Sequence, residues 1–312
     1  MTEPLLVQQL ESPSGTGRVE PRSDRQPGSP RKPGTGYQPT DRILTGSSAW
    51  VPRGETERMP GVEDAVDEQV AASASRISAD LLDAADLSIV GVYVHGSAVL
   101  GDFVEHASDL DILVVVEDDT DVGSIDDIAR SLAASDPTPA VGVEASVVVR
   151  SAAASPRAPW PFLVHVTNQP TDRKTVYGLD RDGDPDLVLH YAVLRQHGWN
   201  LVGPPSAETF GAVDRDAIVD QLTAELRWAA ETATESYAVL NACRALCFVT
   251  DGILCSKTQG GRWALAAGIE ADLVERSLRA RRGIGDAPPG STASRAWVLS
   301  IARHLQQTKR NV

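Results

Sequence analysis

The sequence predicts an α/β protein in which a small mixed sheet in the N-terminal part is followed by an α-helical bundle. Apolar segments rich in Val and Ile alternate with helical patterns as far as about residue 150, which is typical of a sheet covered by helices. Beyond about residue 184 these segments fade, and long stretches with helical periodicity follow. A hydrophobic content of 42% supplies enough apolar surface for a sizeable core.

The elements of the α/β part follow in order along the chain. An Ala-rich amphipathic helix is predicted over residues 62–85, with its acidic residues early, where the helix dipole favours them. Three strands are predicted over residues 87–95, 109–116 and 142–150. A helix over residues 121–135 separates the second strand from the third.

The composition suggests three regions. Residues 1–62 hold nine of the twenty prolines together with many Gly, Ser and Thr residues. Such a segment buries too little apolar surface to offset its ordering entropy, so we expect a disordered tail. The α/β domain is expected to span residues 63–175 and the α-helical domain residues 176–312.

The chain is strongly acidic, with a formal net charge of −14. A protein that binds the phosphate backbone needs the opposite sign, so no nucleic-acid partner is expected. An acidic surface can attract a cationic small molecule or Mg²⁺, although solubility alone also accounts for it. No apolar run of about 18 residues and no signal peptide occur, so we expect a cytoplasmic protein with no membrane partner.

The only cysteines are Cys243, Cys247 and Cys255. Their odd number and helical spacing argue against a disulfide framework, and no Cys/His cluster has the spacing of a zinc site. We expect all three to be buried thiols on helices, the usual place of a free cysteine.

Two carboxylates, Asp109 and Asp111, lie at the start of the second predicted strand. Side chains two positions apart in a strand project from the same face, and two close carboxylates repel each other. A divalent cation between them removes that cost, and oxygen ligands without His or Cys suit Mg²⁺. A bare Asp-x-Asp is more often a pair of solvated residues, so this motif needs support from its surroundings.

That support comes from the Gly96-Ser97 pair, which follows the first strand and opens a short helix. Backbone N–H groups at such a turn favour an anion, Gly allows phosphate to approach closely, and the Ser hydroxyl adds a donor. Glu144, near the start of the third strand, either faces solvent or joins Asp109 and Asp111. In the second case it completes a metal cluster or takes a proton from an attacking hydroxyl. Three acids, a phosphate turn and Mg²⁺ together indicate nucleotidyl transfer from a nucleoside triphosphate.

These residues resemble a known signature. "HGSAVLGDFVEHASDLDILVVV" is similar to the G-S-x-x-x-G…S-D-[LI]-D-[LI]-[LI]-V pattern of the polymerase-β-like nucleotidyltransferase superfamily. "VEASVVV", "DPDLVLHYAVLRQHGWNLVGP" and "YAVLNACRALCFVTDGILCSKTQGGRWAL" resemble segments of the aminoglycoside (3″)(9) adenylyltransferases, which confer streptomycin and spectinomycin resistance. The resemblance covers about residues 87–265 and implies that residues 63–175 are a nucleotidyltransferase domain.

The resemblance implies a role for each matching residue. Ser97, beside Gly96, would hold the triphosphate of the co-substrate ATP, and Asp109 and Asp111 would bind Mg²⁺. Glu144 would be the general base that activates the antibiotic hydroxyl.

From the helical domain, the resemblance implies that Arg244 and Lys257 contact the ATP phosphates. We expect Glu235 and Asp186 to form an acidic wall that recognises the cationic substrate. Family members that accept streptomycin carry an acidic residue where Thr234 stands here, and a tryptophan early in the helical domain, whereas no tryptophan lies between Arg173 and Gln196 in this chain. The sequence therefore favours spectinomycin as the substrate, although Glu235 would restore the carboxylate if the alignment slipped by one residue.

The sequence thus predicts an enzyme that transfers AMP from ATP to a hydroxyl of an aminoglycoside or aminocyclitol and acts as a monomer. Two alternatives remain at this stage. The acceptor could be a protein or another metabolite, or the chain could be a catalytically silent nucleotide-binding regulator.

Overall fold

A computed structural model describes residues 66–85, 88–178, 182–285 and 288–310. Within these residues the chain forms eleven helices and six strands. In order they are α1 Glu68–Ala85, β1 Ile89–Val94, α2 Gly96–Val99, β2 Leu110–Val116, α3 Val122–Ala134, β3 Val143–Val149, α4 Arg150–Ala154, β4 Val164–Asn168, β5 Arg173–Tyr177, α5 Leu187–His197, β6 Trp199–Val202, α6 Ser206–Thr209, α7 Arg215–Thr232, α8 Glu235–Asp251, α9 Lys257–Ala266, α10 Ala271–Arg281 and α11 Thr292–Arg310. The predicted tail, residues 1–62, lies outside the described residues.

The six strands form one mixed sheet in the order β5-β4-β3-β2-β1-β6. β2 and β3 pair in parallel, and every other neighbouring pair in the sheet is antiparallel. The predicted α/β class with a small mixed sheet followed by helices is therefore confirmed. The three strands predicted from the sequence all form, each within two residues of its expected ends.

The sheet extends beyond the predicted end of the α/β domain at residue 175. β5 continues to Tyr177, and β6 adds an edge strand by pairing Trp199 with Val94 of β1. β6 has only four residues, too few for a periodic pattern, so its pairing depends on β1. We call the described residues of 66–202 the sheet lobe and those of 206–310 the helical lobe.

The two faces of the sheet differ in polarity. One face is covered by α1 and α3 and is apolar, with Ile112, Val114 and Val147 in its core. The other face is apolar only in part, where it packs on α5. Its remaining positions, near the starts of β2 and β3, carry polar side chains, and this is where the site lies.

Helix α5 joins the two lobes because both of its faces are buried. Leu187, Tyr191 and Leu194 pack on the sheet, whereas Val188 and Ala192 pack into the core of the helical lobe. A helix between two cores needs apolar residues on several sides, which explains why seven of its first eight residues, Leu187 to Leu194, are apolar, His190 being the exception.

The three cysteines are free and buried, as expected. Cys243 and Cys247 lie on α8. Cys255, however, lies in the loop before α9 and not on a helix, because Gly252 ends α8 with a left-handed backbone (φ +72°).

Among the helices that the structure describes, none is both long enough and apolar enough to cross a membrane.

Candidate active site

The turn after β1 brings the backbone next to a carboxylate. Gly96 has a φ of +63°, and a Cβ added there would lie 1.9 Å from Oδ2 of Asp111. Only glycine permits both the left-handed backbone and this approach. The backbone N–H of Ser97 hydrogen-bonds to the Asp111 carboxylate. α2 is only four residues long, so the turn itself, and not a long helix dipole, provides the donors at this place.

The three predicted acids share one electrostatic environment. Asp111 of β2 is paired in register with Glu144 of β3, and Asp109 directly precedes β2. Burial raises the pKa of Asp109 to about 6. Burial and repulsion by Glu144 and Asp109 raise the pKa of Asp111 well above its usual value. Burial and repulsion by Asp109 raise the pKa of Glu144 to about 7. A cation placed among these carboxylates would therefore be stabilising.

The donor set fits Mg²⁺ better than a transition metal. Among the described residues, no three Asp, Glu, His or Cys side chains are placed to hold a metal ion together, so the predicted metal cluster of Asp109, Asp111 and Glu144 does not form. Mg²⁺ does not need one, since it usually takes one or two carboxylates and completes its shell with water and substrate phosphates. Asp109 and Asp111 offer such a pair, and burial together with repulsion by Glu144 and Asp109 raises the pKa of Asp111, a shift that a bound cation would reverse.

Two further polar residues border the acids, and the sequence reasoning missed both. Gln169 donates a hydrogen bond from Nε2 to Oδ1 of Asp109 at 2.7 Å. Lys174 pairs with Asp172 at 2.9 Å, and its charge partly offsets the raised pKa of Glu144. Both come from the β4–β5 hairpin, whose position beside β3 follows from antiparallel strand pairing and from no local motif.

The helical lobe contributes Lys257 at the first position of α9. Ser256 and Gln259 form a reciprocal capping box that sets where this helix begins. Nζ of Lys257 lies 4.2 Å from the ring centroid of Tyr237, a cation–π contact. Burial and repulsion by Arg244 lower the pKa of Lys257 to about 8. The charge of Lys257 counteracts the raised pKa of all three acids, so the structure brings Lys257 close to them.

Arg244 of α8 is held beside Lys257 by two hydrogen bonds. Its Nε donates to the carbonyl oxygen of Cys255 and its Nη1 donates to Oδ1 of Asn241, both at 2.9 Å. Gly260 lets α9 pack tightly on α8, since an added Cβ would lie 2.8 Å from the backbone nitrogen of Arg244. The two helices therefore present two cations together, as anion binding requires.

Asp186 also lies near the site. It is buried and accepts a hydrogen bond from Nε2 of Gln221 on α7. Burial, and repulsion by Asp184, Glu225 and Glu144, raise its pKa well above the usual value. Asp186 thus extends the acid group towards α7.

Glu225 is a further member of this acidic wall that sequence reasoning missed. It is buried on α7 and accepts a hydrogen bond from the Tyr237 hydroxyl at 3.2 Å. Its negative charge raises the pKa of Tyr237. It also acts to raise the pKa of Lys257, against the larger lowering caused by burial. No local pattern distinguishes it from the other acids of α7, so only the packing reveals it.

Glu235 is not brought to this wall. Its carboxylate pairs with Arg276 of α10 at 2.8 Å and lies 3.5 Å from the backbone N–H of Ser291. Although burial opposes it, hydrogen bonds from Arg276 and Ser294 lower the pKa of Glu235. The expected substrate-binding carboxylate therefore ties α8 to α10 and to the segment before α11.

Comparisons with known proteins match two separate parts of the chain to family models. Residues 76–151 match the family model of the nucleotidyltransferase domain. Residues 208–308 match the family model described as aminoglycoside adenylyltransferase, C-terminal domain. A comparison with curated proteins finds no match by sequence.

Among solved structures, the fold is similar to the "Crystal structure of spectinomycin adenyltransferase AAD(9) from Enterococcus faecialis with ATP and spectinomycin". The two chains are 16% identical with a TM-score of 0.55, and the match covers 77% of this chain and 98% of the other. At this identity the likeness concerns the fold. The two family models identify residues 76–151 as a nucleotidyltransferase domain and residues 208–308 as the C-terminal domain of an aminoglycoside adenylyltransferase, so the chain is an enzyme of the nucleotidyltransferase class.

Proposed function

We propose that the protein transfers AMP from ATP to a hydroxyl of an aminocyclitol or aminoglycoside antibiotic in a Mg²⁺-dependent reaction, and so confers resistance. The observation that carries this proposal is that Lys257 of the helical lobe acts electrostatically on Asp109, Asp111 and Glu144 of the sheet lobe. Nucleotidyl transfer needs a cation that binds the phosphates and, beside it, carboxylates that bind a metal ion. The ATP and spectinomycin in the adenyltransferase of similar fold support this choice of donor and acceptor.

The residues divide the reaction among them. The Ser97 turn, Lys257 and Arg244 bind the triphosphate. Mg²⁺ held by Asp109 and Asp111 would stabilise the charge on the phosphate oxygens and on the leaving pyrophosphate. Glu144 accepts the proton of the acceptor hydroxyl while the hydroxyl oxygen bonds to the α-phosphorus and the bond from this phosphorus to pyrophosphate breaks.

The acidic wall selects the acceptor. Asp184, Asp186 and Glu225 are buried carboxylates, and the nearby Glu144 adds to their negative charge. Buried charges favour a partner of opposite sign, so this wall suits the protonated amino groups of an aminocyclitol. One chain supplies all these groups, so we propose a monomer, and because ATP is the proposed donor we also propose that it acts in the cytoplasm.

Spectinomycin is the acceptor we favour over streptomycin. Thr234, which stands where streptomycin-accepting relatives carry an acid, caps α8 by accepting a hydrogen bond from the backbone N–H of Tyr237 at 3.4 Å. The neighbouring Glu235 is neutralised by Arg276 and cannot replace that acid.

An assay of pyrophosphate release tests the proposal. The full chain with ATP, Mg²⁺ and spectinomycin should release pyrophosphate and yield adenylylated spectinomycin by mass spectrometry, with less or no product from streptomycin. Absence of release with every aminoglycoside and aminocyclitol in a panel would contradict the antibiotic assignment. AMP found on a macromolecule instead would indicate a different acceptor.

Replacing the base should separate binding from chemistry. Glu144→Gln keeps the size of the side chain but cannot take a proton, so we expect kcat to fall by a factor of about 10² to 10⁴. ATP affinity, measured by calorimetry, should change little. Full activity of this variant would disprove the base role of Glu144.

Asp111→Asn should abolish turnover without lowering stability. Burial and repulsion by Glu144 and Asp109 raise the pKa of Asp111, so a charged carboxylate at this position destabilises the folded state relative to the unfolded one, and a neutral Asn removes that cost. The melting temperature in Mg²⁺-free buffer should stay the same or rise, whereas the stabilisation of the wild type by added Mg²⁺ should be lost. Asp127→Asn, on the exposed face of α3, is the matched control. A clear drop in melting temperature for Asp111→Asn alone would mean that this carboxylate is structural.

The acidic wall predicts a charge-dependent KM for the antibiotic. Glu225→Gln keeps an acceptor for the Tyr237 hydroxyl but loses the charge, so the KM for spectinomycin should rise roughly tenfold. The KM for ATP should rise much less, and added salt should weaken antibiotic binding less in the variant than in the wild type. Glu231→Gln, an exposed position on the same helix, should behave as the wild type. Equal KM values for Glu225→Gln and Glu231→Gln would exclude Glu225 from recognition.

A further inference from the structure

Asp102 connects the phosphate turn to the helical lobe. It lies in the segment between α2 and β2 and is buried, with 9% of its surface exposed. Its backbone N–H donates to the carbonyl oxygen of Ser97 at 3.0 Å. Its position is therefore linked directly to the turn that holds Gly96 and Ser97.

The Asp102 side chain points to the other lobe and is fully engaged there. Oδ1 accepts a hydrogen bond from the Thr258 hydroxyl at 2.5 Å, and Oδ2 accepts one from the Thr258 backbone N–H at 3.2 Å. Arg281, at the end of α10, lies 2.9 Å from Oδ2 through Nη2, and the same nitrogen donates to the Asp102 carbonyl oxygen at 3.1 Å. This ion pair is largely shielded from solvent, since the side chain of Arg281 is 19% exposed and that of Asp102 is 8% exposed.

These contacts converge on the start of α9. Thr258 directly follows Lys257, and the Ser256–Gln259 capping box makes the first turn of this helix a defined unit. A hydrogen bond to the Thr258 backbone N–H therefore fixes the orientation of the turn that carries Lys257. Arg281 adds a third positive charge close to Lys257 and Arg244.

We propose that Asp102 is a positioning residue that joins the Ser97 turn of the sheet lobe to the Lys257 turn of the helical lobe, so that the triphosphate-binding groups are aligned before a nucleotide binds. Asp102 takes no part in the chemistry, since its carboxylate is engaged by Thr258 and Arg281. The proposal rests on the proposed function of the site as a nucleotide-binding one. Without the link, nucleotide binding would itself have to order the two lobes, which reduces affinity.

The test compares Asp102→Ala and Asp102→Asn with the control Asp127→Ala. Asp127 forms an ion pair with Arg130 within α3, so its removal also breaks an Asp–Arg pair but leaves both lobes joined. For Asp102→Ala we expect a roughly tenfold higher KM for ATP, with kcat at saturating ATP and KM for spectinomycin changed less than about threefold. Asp102→Asn keeps an acceptor for Thr258 and should fall between Asp102→Ala and the wild type. Asp127→Ala should match the wild type.

A second readout needs no catalysis. Hydrogen exchange of the Thr258 amide in the nucleotide-free full chain should become faster in Asp102→Ala than in Asp127→Ala, because this amide donates directly to Asp102. If Asp102→Ala fails to fold, Thr258→Val and Arg281→Lys carry the same comparison, since each removes one part of the link.

The outcomes separate this inference from the proposed function. Unchanged exchange and unchanged KM for ATP in folded Asp102→Ala would overturn the inference while the wild type remains active. A fall in kcat that follows the loss of folded protein, with both KM values unchanged, would also overturn it in favour of a purely structural role. Absence of ATP binding by the wild type would refute the proposed function, and the exchange measurement would still decide whether Asp102 orders the Lys257 turn.

Discussion

The site depends on the repulsion among three carboxylates at the starts of two parallel strands and on the cation that the helical lobe sets against it. Asp109, Asp111 and Glu144 are partly buried together, and each has a raised pKa. Lys257 is half-buried beside Arg244 and has a lowered pKa. Each lobe alone therefore holds like charges that destabilise one another. Bringing the lobes together offsets part of this cost, and a metal ion with a polyphosphate would complete the balance.

The packing explains why the carboxylates and cations of the site lie between the two lobes. The sheet buries one face against α1 and α3 with apolar side chains, so polar groups can accumulate only on the other face. There α5 covers the apolar part and leaves the polar part open to α7, α8 and α9. Because α5 belongs to both cores, it holds the acids of the sheet and the cations of the helices at a defined separation.

Two glutamates show how neighbours assign roles to identical side chains. Glu225 and Glu235 are both buried in the helical lobe. Glu235 meets Arg276 and becomes a structural tie, whereas Glu225 faces Tyr237 and Lys257 and adds charge to the cleft. The sequence reasoning selected Glu235, because residue type alone does not show which partner a buried carboxylate meets. That partner decides whether the carboxylate is neutralised or is free to bind a substrate.

Local pattern was sufficient for the α/β class, for the three strands that carry the acids, and for the Gly-Ser turn, because strand alternation and glycine geometry depend on near neighbours in the chain. The same reasoning named Asp109, Asp111 and Glu144, whose chemistry is readable from residue type and motif, whereas Lys257 was named only through the family resemblance. It did not reveal the edge strand β6 or the roles of Gln169 and Asp102. Each of these depends on a partner far away in sequence, and only the packing of the complete chain decides which distant groups meet and which charges are buried together.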